Sequence, residues 1–233
     1  RTGRLDWHEI PGEPDRGFAL LPVPSEGDLV FDIEGDPFWE PSRGLHFLFG
    51  LLGADGYQVI WAHDRTEERA AFESLIDLFH ERLARHPDMH VYHYGVYETT
   101  AIKQLMGVYA TREDAVDDLL RRKVFVDLYT VVRQGIRAGV SSYSLKDVEA
   151  LPKFHRDAGV KSGTLAVLEY EQWIERREAA RLDAIAAYNL EDCVATRALR
   201  DWLVAHRPAD VMPPGPVVLG ATDEEPSPSE ALR

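Results

Sequence analysis

The chain has 233 residues, 45% hydrophobic and 28% charged, an ordinary globular composition with room for one large domain or two small ones. Its 26 Lys and Arg against 40 Asp and Glu leave a net charge of −14, which excludes a uniformly basic coat that grips nucleic acid over the whole surface. The single cysteine, Cys193, excludes an internal disulfide and a cysteine-based metal cluster and fits a reducing, cytoplasmic setting, and no apolar run approaches the roughly 18 residues of a membrane span, so no membrane partner is expected.

Ten of the 14 prolines lie in residues 1–27 and 207–233. We therefore read 1–27 as an N-terminal extension or weakly ordered linker, 28–206 as the folded body and 207–233 as a Pro-rich acidic linker. The start at Arg1 leads us to expect a piece of a longer protein. Within the body, residues 28–34 alternate in period two and predict a strand, and the apolar run 46–52 predicts a second. Ala54-Asp55-Gly56 supplies turn chemistry before a third strand over 57–61, which predicts a hairpin. Asp64 and Glu67 have capping-box spacing ahead of Phe72, Leu75, Ile76, Phe79 and Leu83 at helical intervals, and Pro87 ends that helix.

Residues 89–94 read as a fourth strand, 97–109 as a helix, and Thr111 with Asp114 as the start of a short one. Residues 124–128 read as a fifth strand, followed by mostly helical material and a long helix over about 181–206. Three strands joined by short turns are antiparallel, whereas the last two arrive over helical crossovers and should run parallel to the first. The expected fold class is α/β, a mixed five-stranded sheet flanked by helices.

Three segments carry candidate chemistry. In Phe31-Asp-Ile-Glu34 the alternation puts both acids on one face, about 6.6 Å apart along the strand. The apolar residues 29–31 just before them indicate a strand covered on both faces, so the two carboxylates call for a counter-charge. Hard oxygen donors of this kind favour Mg²⁺ or Mn²⁺. In the long helix, Tyr188 and Asp192 are four apart and share a face, while Glu191 points elsewhere. Glu98 falls in the first turn of the helix after the fourth strand, where an acid also suits the helix dipole.

In order and element type, these segments resemble the 3′–5′ exonucleases of the DEDD group, which have a ribonuclease H-like fold. Asp32-Ile-Glu34 resembles the group's first motif, Glu98 stands where its second motif has an acid, and Tyr188-x-x-x-Asp192 resembles the tyrosine version of its third. The wider wording is similar to the ribonuclease H-like domain of predicted RecB-family nuclease and helicase proteins of bacteria. Phe31-Asp-Ile-Glu-Gly-Asp-Pro37, Tyr92-His-Tyr-Gly-Val-Tyr-Glu98, Asp127-Leu-Tyr, Ser144-Leu-Lys146 and Tyr188-Asn-Leu-Glu-Asp-Cys193 carry that likeness over about 28–206. Two departures stand out: the second motif usually has Asp, one methylene shorter than Glu98, and the Asn common four residues earlier is Tyr94. Asp127 is a rival for the fourth carboxylate, ranked below Glu98 because its neighbours Phe125 and Leu128 suit a structural role.

The resemblance implies hydrolysis of phosphodiester bonds from a 3′ end to nucleoside 5′-monophosphates. Asp32, Glu34, Glu98 and Asp192 would hold two divalent cations, and Tyr188 would orient the attacking water rather than abstract its proton. It also implies DNA ahead of RNA as substrate, single-stranded or frayed ends, and covalently linked helicase or nuclease domains in the full-length protein. Residues 121–161 hold nine Lys or Arg and four acids, a +5 segment in an otherwise acidic chain. Tyr143 and Phe154 interleave with those charges, and Ser144 and Lys146 are the expected nucleic-acid contacts. His90 and His93 alternate on a strand without a His or Cys partner motif, so a hydrogen-bonded or surface role is expected in place of zinc. Two other readings remain open: a catalytically silent module that binds nucleic acid or docks partners, and a metal-dependent endonuclease, which Tyr188 disfavours.

Overall fold

Alternation along the first long strand sets up the whole architecture. In a computed structural model, which describes residues 5–157, 159–160, 162–215 and 217, this strand is β2 (Leu29–Glu40). Leu29, Phe31 and Ile33 point to one side of the sheet and Val30 to the other. Each side meets its own helical layer, as a strand covered on both faces requires.

The sheet also contains β3 (Arg43–Gly53), β4 (Gly56–Trp61), β5 (Val91–His93) and β6 (Phe125–Asp127), in the order β4-β3-β2-β5-β6. The first three are antiparallel neighbours, and β5 and β6 run parallel to β2. This is the topology the crossover rule predicts, with β5 beside β2 because a helical connection returns the chain there. Strands β5 and β6 are three residues each, shorter than the runs that suggested them.

On the Phe31 side lie α1 (Arg65–Arg85), α2 (Tyr97–Tyr109) and α3 (Glu113–Arg121). Phe72, Leu75, Ile76 and Phe79 of α1 are completely buried against the sheet, and the Phe79 ring meets Phe31 edge to face at 5.6 Å. Asp64 caps α1, its Oδ1 accepting from the amides of Thr66 (2.8 Å) and Glu67 (2.9 Å), a contact worth about 1 kcal/mol. On the Val30 side lies the 27-residue α7 (Ala179–Ala205), which buries Cys193, Leu199 and Leu203 beneath β2 and β5.

Between β6 and α7 the chain forms α4 (Leu128–Gly135), β7 (Ile136–Ala138), the short α5 (Leu145–Val148) and α6 (Gly163–Arg176). Strand β7 was not expected. It pairs antiparallel with β1 (Trp7–Glu9), while Phe18 and Leu21 are buried in the α7-side core. The N-terminal extension is therefore packed where it is described, not weakly ordered. Its prolines interrupt regular structure without preventing Trp7, Phe18 and Leu21 from burying apolar surface. On the C-terminal side, Arg207 Nη2 donates to the carbonyls of Leu21 and Pro22, which ties the end of the body to that extension. The acidic stretch from 218 onward lies outside the described residues. Among the described residues no helix is long and apolar enough to cross a membrane.

Candidate metal centre

Because side chains alternate, Asp32 and Glu34 lie on the Val30 side of β2 and face α7. From α7, Tyr188, Asn189 and Asp192 face back toward the sheet, with Tyr188 and Asn189 buried and Asp192 half-buried. One carboxylate oxygen each from Asp32, Glu34 and Asp192 lies within 4.8 Å of the others. Glu98 stands nearby in the first turn of α2, just past β5, the strand beside β2, outside that triad. It is buried, and its charge acts on Asp32. Its Oε2 is a buried oxygen with no hydrogen-bond partner, 3.5 Å from Nδ1 of His93. An orphaned carboxylate oxygen among three further acids is a donor set suited to a divalent cation.

Each acid has its own neighbour. Asn189 Nδ2 donates to Asp32 Oδ2 at 2.6 Å, and the Tyr57 hydroxyl donates to Asn189 Oδ1 at 2.7 Å, which fixes the amide's orientation. His93 Nδ1 donates to the carbonyl of Gly95 at 2.7 Å, so that ring nitrogen carries its hydrogen on the side near Glu98. Arg156 Nη1 lies 2.6 Å from Asp192 Oδ1, and its Nε and Nη2 fork onto Glu149 at 2.7–3.0 Å. Lys146 Nζ sits 5.1 Å from the centre of the Tyr188 ring and favours the ionised form of Glu34.

The electrostatics follow from crowding acids in a covered place. Burial first, and the charges of Glu34, Asp192 and Glu98 next, push Asp32 well above the carboxylate range. Glu34 rises to about 8, mainly through burial and then Asp192, with Asn189 and Lys146 pulling the other way. Without a counter-charge these groups hold protons at neutral pH. A bound cation replaces those protons. Burial, then the Asp192 charge, likewise raises Tyr188 above the ordinary phenol range, so it remains a hydroxyl at neutral pH.

The remaining expectations separate cleanly. Asp127 is turned to structure: its Oδ1 accepts from the amides of Gly95 (2.8 Å) and Tyr129 (2.9 Å), and its Oδ2 from the Thr130 hydroxyl (2.6 Å), capping α4. Ser144 donates to Asp147 Oδ2 at 3.0 Å at the start of α5. Tyr143 is not a free stacking face: its hydroxyl accepts from the Ala138 amide at 3.1 Å, and Arg133 lies over its ring at 4.8 Å. The basic segment is partly spent on local acids, with Arg121 on Asp117 and Arg122 on Asp118, both at 2.8 Å. Arg156 belongs to the acidic centre and not to a solvated basic face. A cavity of about 880 Å³ lies along β6 and touches His93, but none of the four acids lines it.

Sequence reasoning missed Asn189, Tyr57 and the Arg156–Glu149 pair. One signal pointed at the first. Gly50 interrupts the apolar run of β3 directly opposite Asp32, and a Cβ there would lie 1.7 Å from Asn189 Oδ1. Glycine inside a strand marks close approach of another group.

Residues 29–204, nearly the whole body, match the family model described as the RNase H superfamily. The chain belongs to the RNase H superfamily. No curated protein matches its sequence. This RNase H superfamily domain has the mixed five-stranded sheet and flanking helices of an RNase H-like fold. Membership points to a nuclease-type hydrolase acting on nucleic acid, and RNase H-like nucleases typically use divalent metals. In this chain Asp32, Glu34 and Asp192 form an acidic triad that could hold one.

Proposed function

We propose that this domain is a metal-dependent 3′–5′ exonuclease that hydrolyses DNA, at single-stranded or frayed ends, to nucleoside 5′-monophosphates. The observation that carries this reading is the convergence of Asp32, Glu34 and Asp192 within 4.8 Å, in a chain of the RNase H superfamily. Asp32, Glu34, Glu98 and Asp192 would hold two divalent cations, Mg²⁺ or Mn²⁺. Such ions supply an acidified water and neutralise charge on the phosphate and the leaving 3′ oxygen.

The chain's own residues do the rest. Asn189 holds Asp32 in a fixed orientation, a task that outer hydrogen bonds commonly perform for metal-binding carboxylates. Tyr188 lies within hydrogen-bonding reach of Asp192 and keeps its proton, so it orients the attacking water and does not act as its base. Lys146, beside Tyr188, would meet a phosphate, and Ser144 lies at the start of the same short helix. Tyr188 supports the terminal, exonucleolytic reading. The preference for DNA and linkage to helicase or nuclease domains are supported by the motif resemblance alone, and action within the cytoplasm by the single cysteine.

The test is an end-labelled single strand incubated with the domain and Mn²⁺ or EDTA, with products resolved by length. A metal-dependent ladder of mononucleotide steps is expected. Internal fragments would replace this reading with an endonuclease, and no cleavage with a binding or docking module.

A further inference from the structure

The four acids do not have equivalent neighbours. Asp32 has a neutral amide and Glu98 has an imidazole, whereas Asp192 is in direct contact with a permanent cation, Arg156, at 2.6 Å. Arg156 and Asp192 side chains are only 15% and 13% exposed, so water does little to screen the pair. Glu149 accepts from both Nε and Nη2, which holds the remaining nitrogen, Nη1, beside Asp192 as an ion pair and not in a hydrogen bond. The Asp157 amide, next in sequence, donates to Glu191 on the same helix at 2.5 Å, so the segment carrying Arg156 is fastened to α7 beside Asp192.

We propose that Arg156 sets the metal affinity of the centre by competing with divalent cations for Asp192. The inference rests on the metal-site reading above. A guanidinium and a divalent cation seek the same carboxylate, and a fixed positive charge in the site also repels the incoming ion. At a few ångströms and moderate effective dielectric such a charge changes a binding constant by at least tenfold. Glu149 keeps Arg156 in place when Asp192 is given up, so the contact can be remade. Metal loading is thereby held below what four carboxylates alone would give.

The experiment is a calorimetric titration of Mn²⁺ into the wild-type domain, Arg156→Gln and Arg156→Lys, without nucleic acid. Arg156→Gln should bind Mn²⁺ at least about tenfold more tightly, and Arg156→Lys, which keeps the charge, should stay within about threefold of wild type. Equal or weaker binding by Arg156→Gln, or identical behaviour of Gln and Lys, would overturn the proposal, because a merely structural fork is lost in both. Should Arg156→Gln not fold, the wild-type protein still decides. The guanidinium NMR signal absent from Arg156→Lys should shift with Mg²⁺ and saturate with the ion, and an unmoved signal at saturating Mg²⁺ refutes competition. Both readouts are independent of cleavage, so a domain that binds metal as described but cuts no nucleic acid would remove the nuclease reading alone.

Discussion

Asn189 and Asp32, 157 residues apart in the chain, are joined by a 2.6 Å hydrogen bond that crosses from the long helix to the central strand. It fixes α7 at the distance at which Asp192 reaches the Asp32–Glu34 face. Replacing Asn189 with Ala removes the donor from a carboxylate in a covered site and frees its rotation. Metal affinity should fall about 10–100-fold, with activity falling in parallel. Tyr57→Phe, which removes only the donor to Asn189, should give a smaller loss in the same direction. Mn²⁺ titration of the two variants checks both the sign and the order.

Gly50 provides the room for that bond. A Cβ at Gly50 would lie 1.7 Å from Asn189 Oδ1, so Gly50→Ala must displace the amide or the strand. We expect a stability loss of about 3 kcal/mol and loss of metal binding together. Gly107, exposed on α2 with nothing within 4 Å of the added methyl, is the matched control. There Ala should gain about 0.5–1 kcal/mol and leave metal binding unchanged. Denaturant unfolding of both variants gives the comparison.

The topology was legible because its signals are local. Period two over 28–34, the Asp64 cap and the Asp55-Gly56 turn each act within a few residues, and together they fix strand order through the crossover rule. The acids of the centre were also legible: Asp32 and Glu34 share a face by alternation, and Tyr188 and Asp192 by helical spacing. What stayed hidden depends on contacts between distant segments. Nothing near Arg156 indicates that its charge turns onto Asp192 in place of solvent, and the β1–β7 ribbon is too short to show a period. Within the described residues 5–27, proline density reports interrupted regularity and not the absence of packing.

The raised acids make stability depend on pH with a definite sign. Glu34 goes from 4.5 to about 8 in the folded chain, and Asp32 is raised as well, so the folded state binds more protons than the unfolded one. Stability from these groups is present below pH 4.5 and declines as pH rises through about 8. Glu68 has the opposite sign. Burial raises it, but hydrogen bonds from His46 and Tyr109 outweigh that and hold it at about 2, so its contribution is present above 4.5 and lost toward pH 2. Melting curves in EDTA should therefore fall in temperature from pH 6 to 9, and saturating Mg²⁺ should abolish that fall. A melting temperature in EDTA that is flat or rising over this range would contradict the assignment.

Tyr188→Phe removes the hydroxyl near Asp192 while keeping the ring beside Lys146. Turnover should drop about 10–100-fold with KM little changed, as expected for a group acting on the water and not on the strand. The phenol stays protonated across neutral pH, so the wild-type rate should show no limb between pH 7 and 9 assignable to Tyr188. A profile in which the variant loses such a limb would make Tyr188 a base.

The most direct measurement is the anomalous diffraction of Mn²⁺ soaked into crystals of the domain. Manganese peaks in contact with Asp32 and Asp192, and reached also by Glu34 and Glu98, are the predicted result. Peaks lying elsewhere, or none at saturating Mn²⁺, would contradict the claim that these four acids form a metal centre.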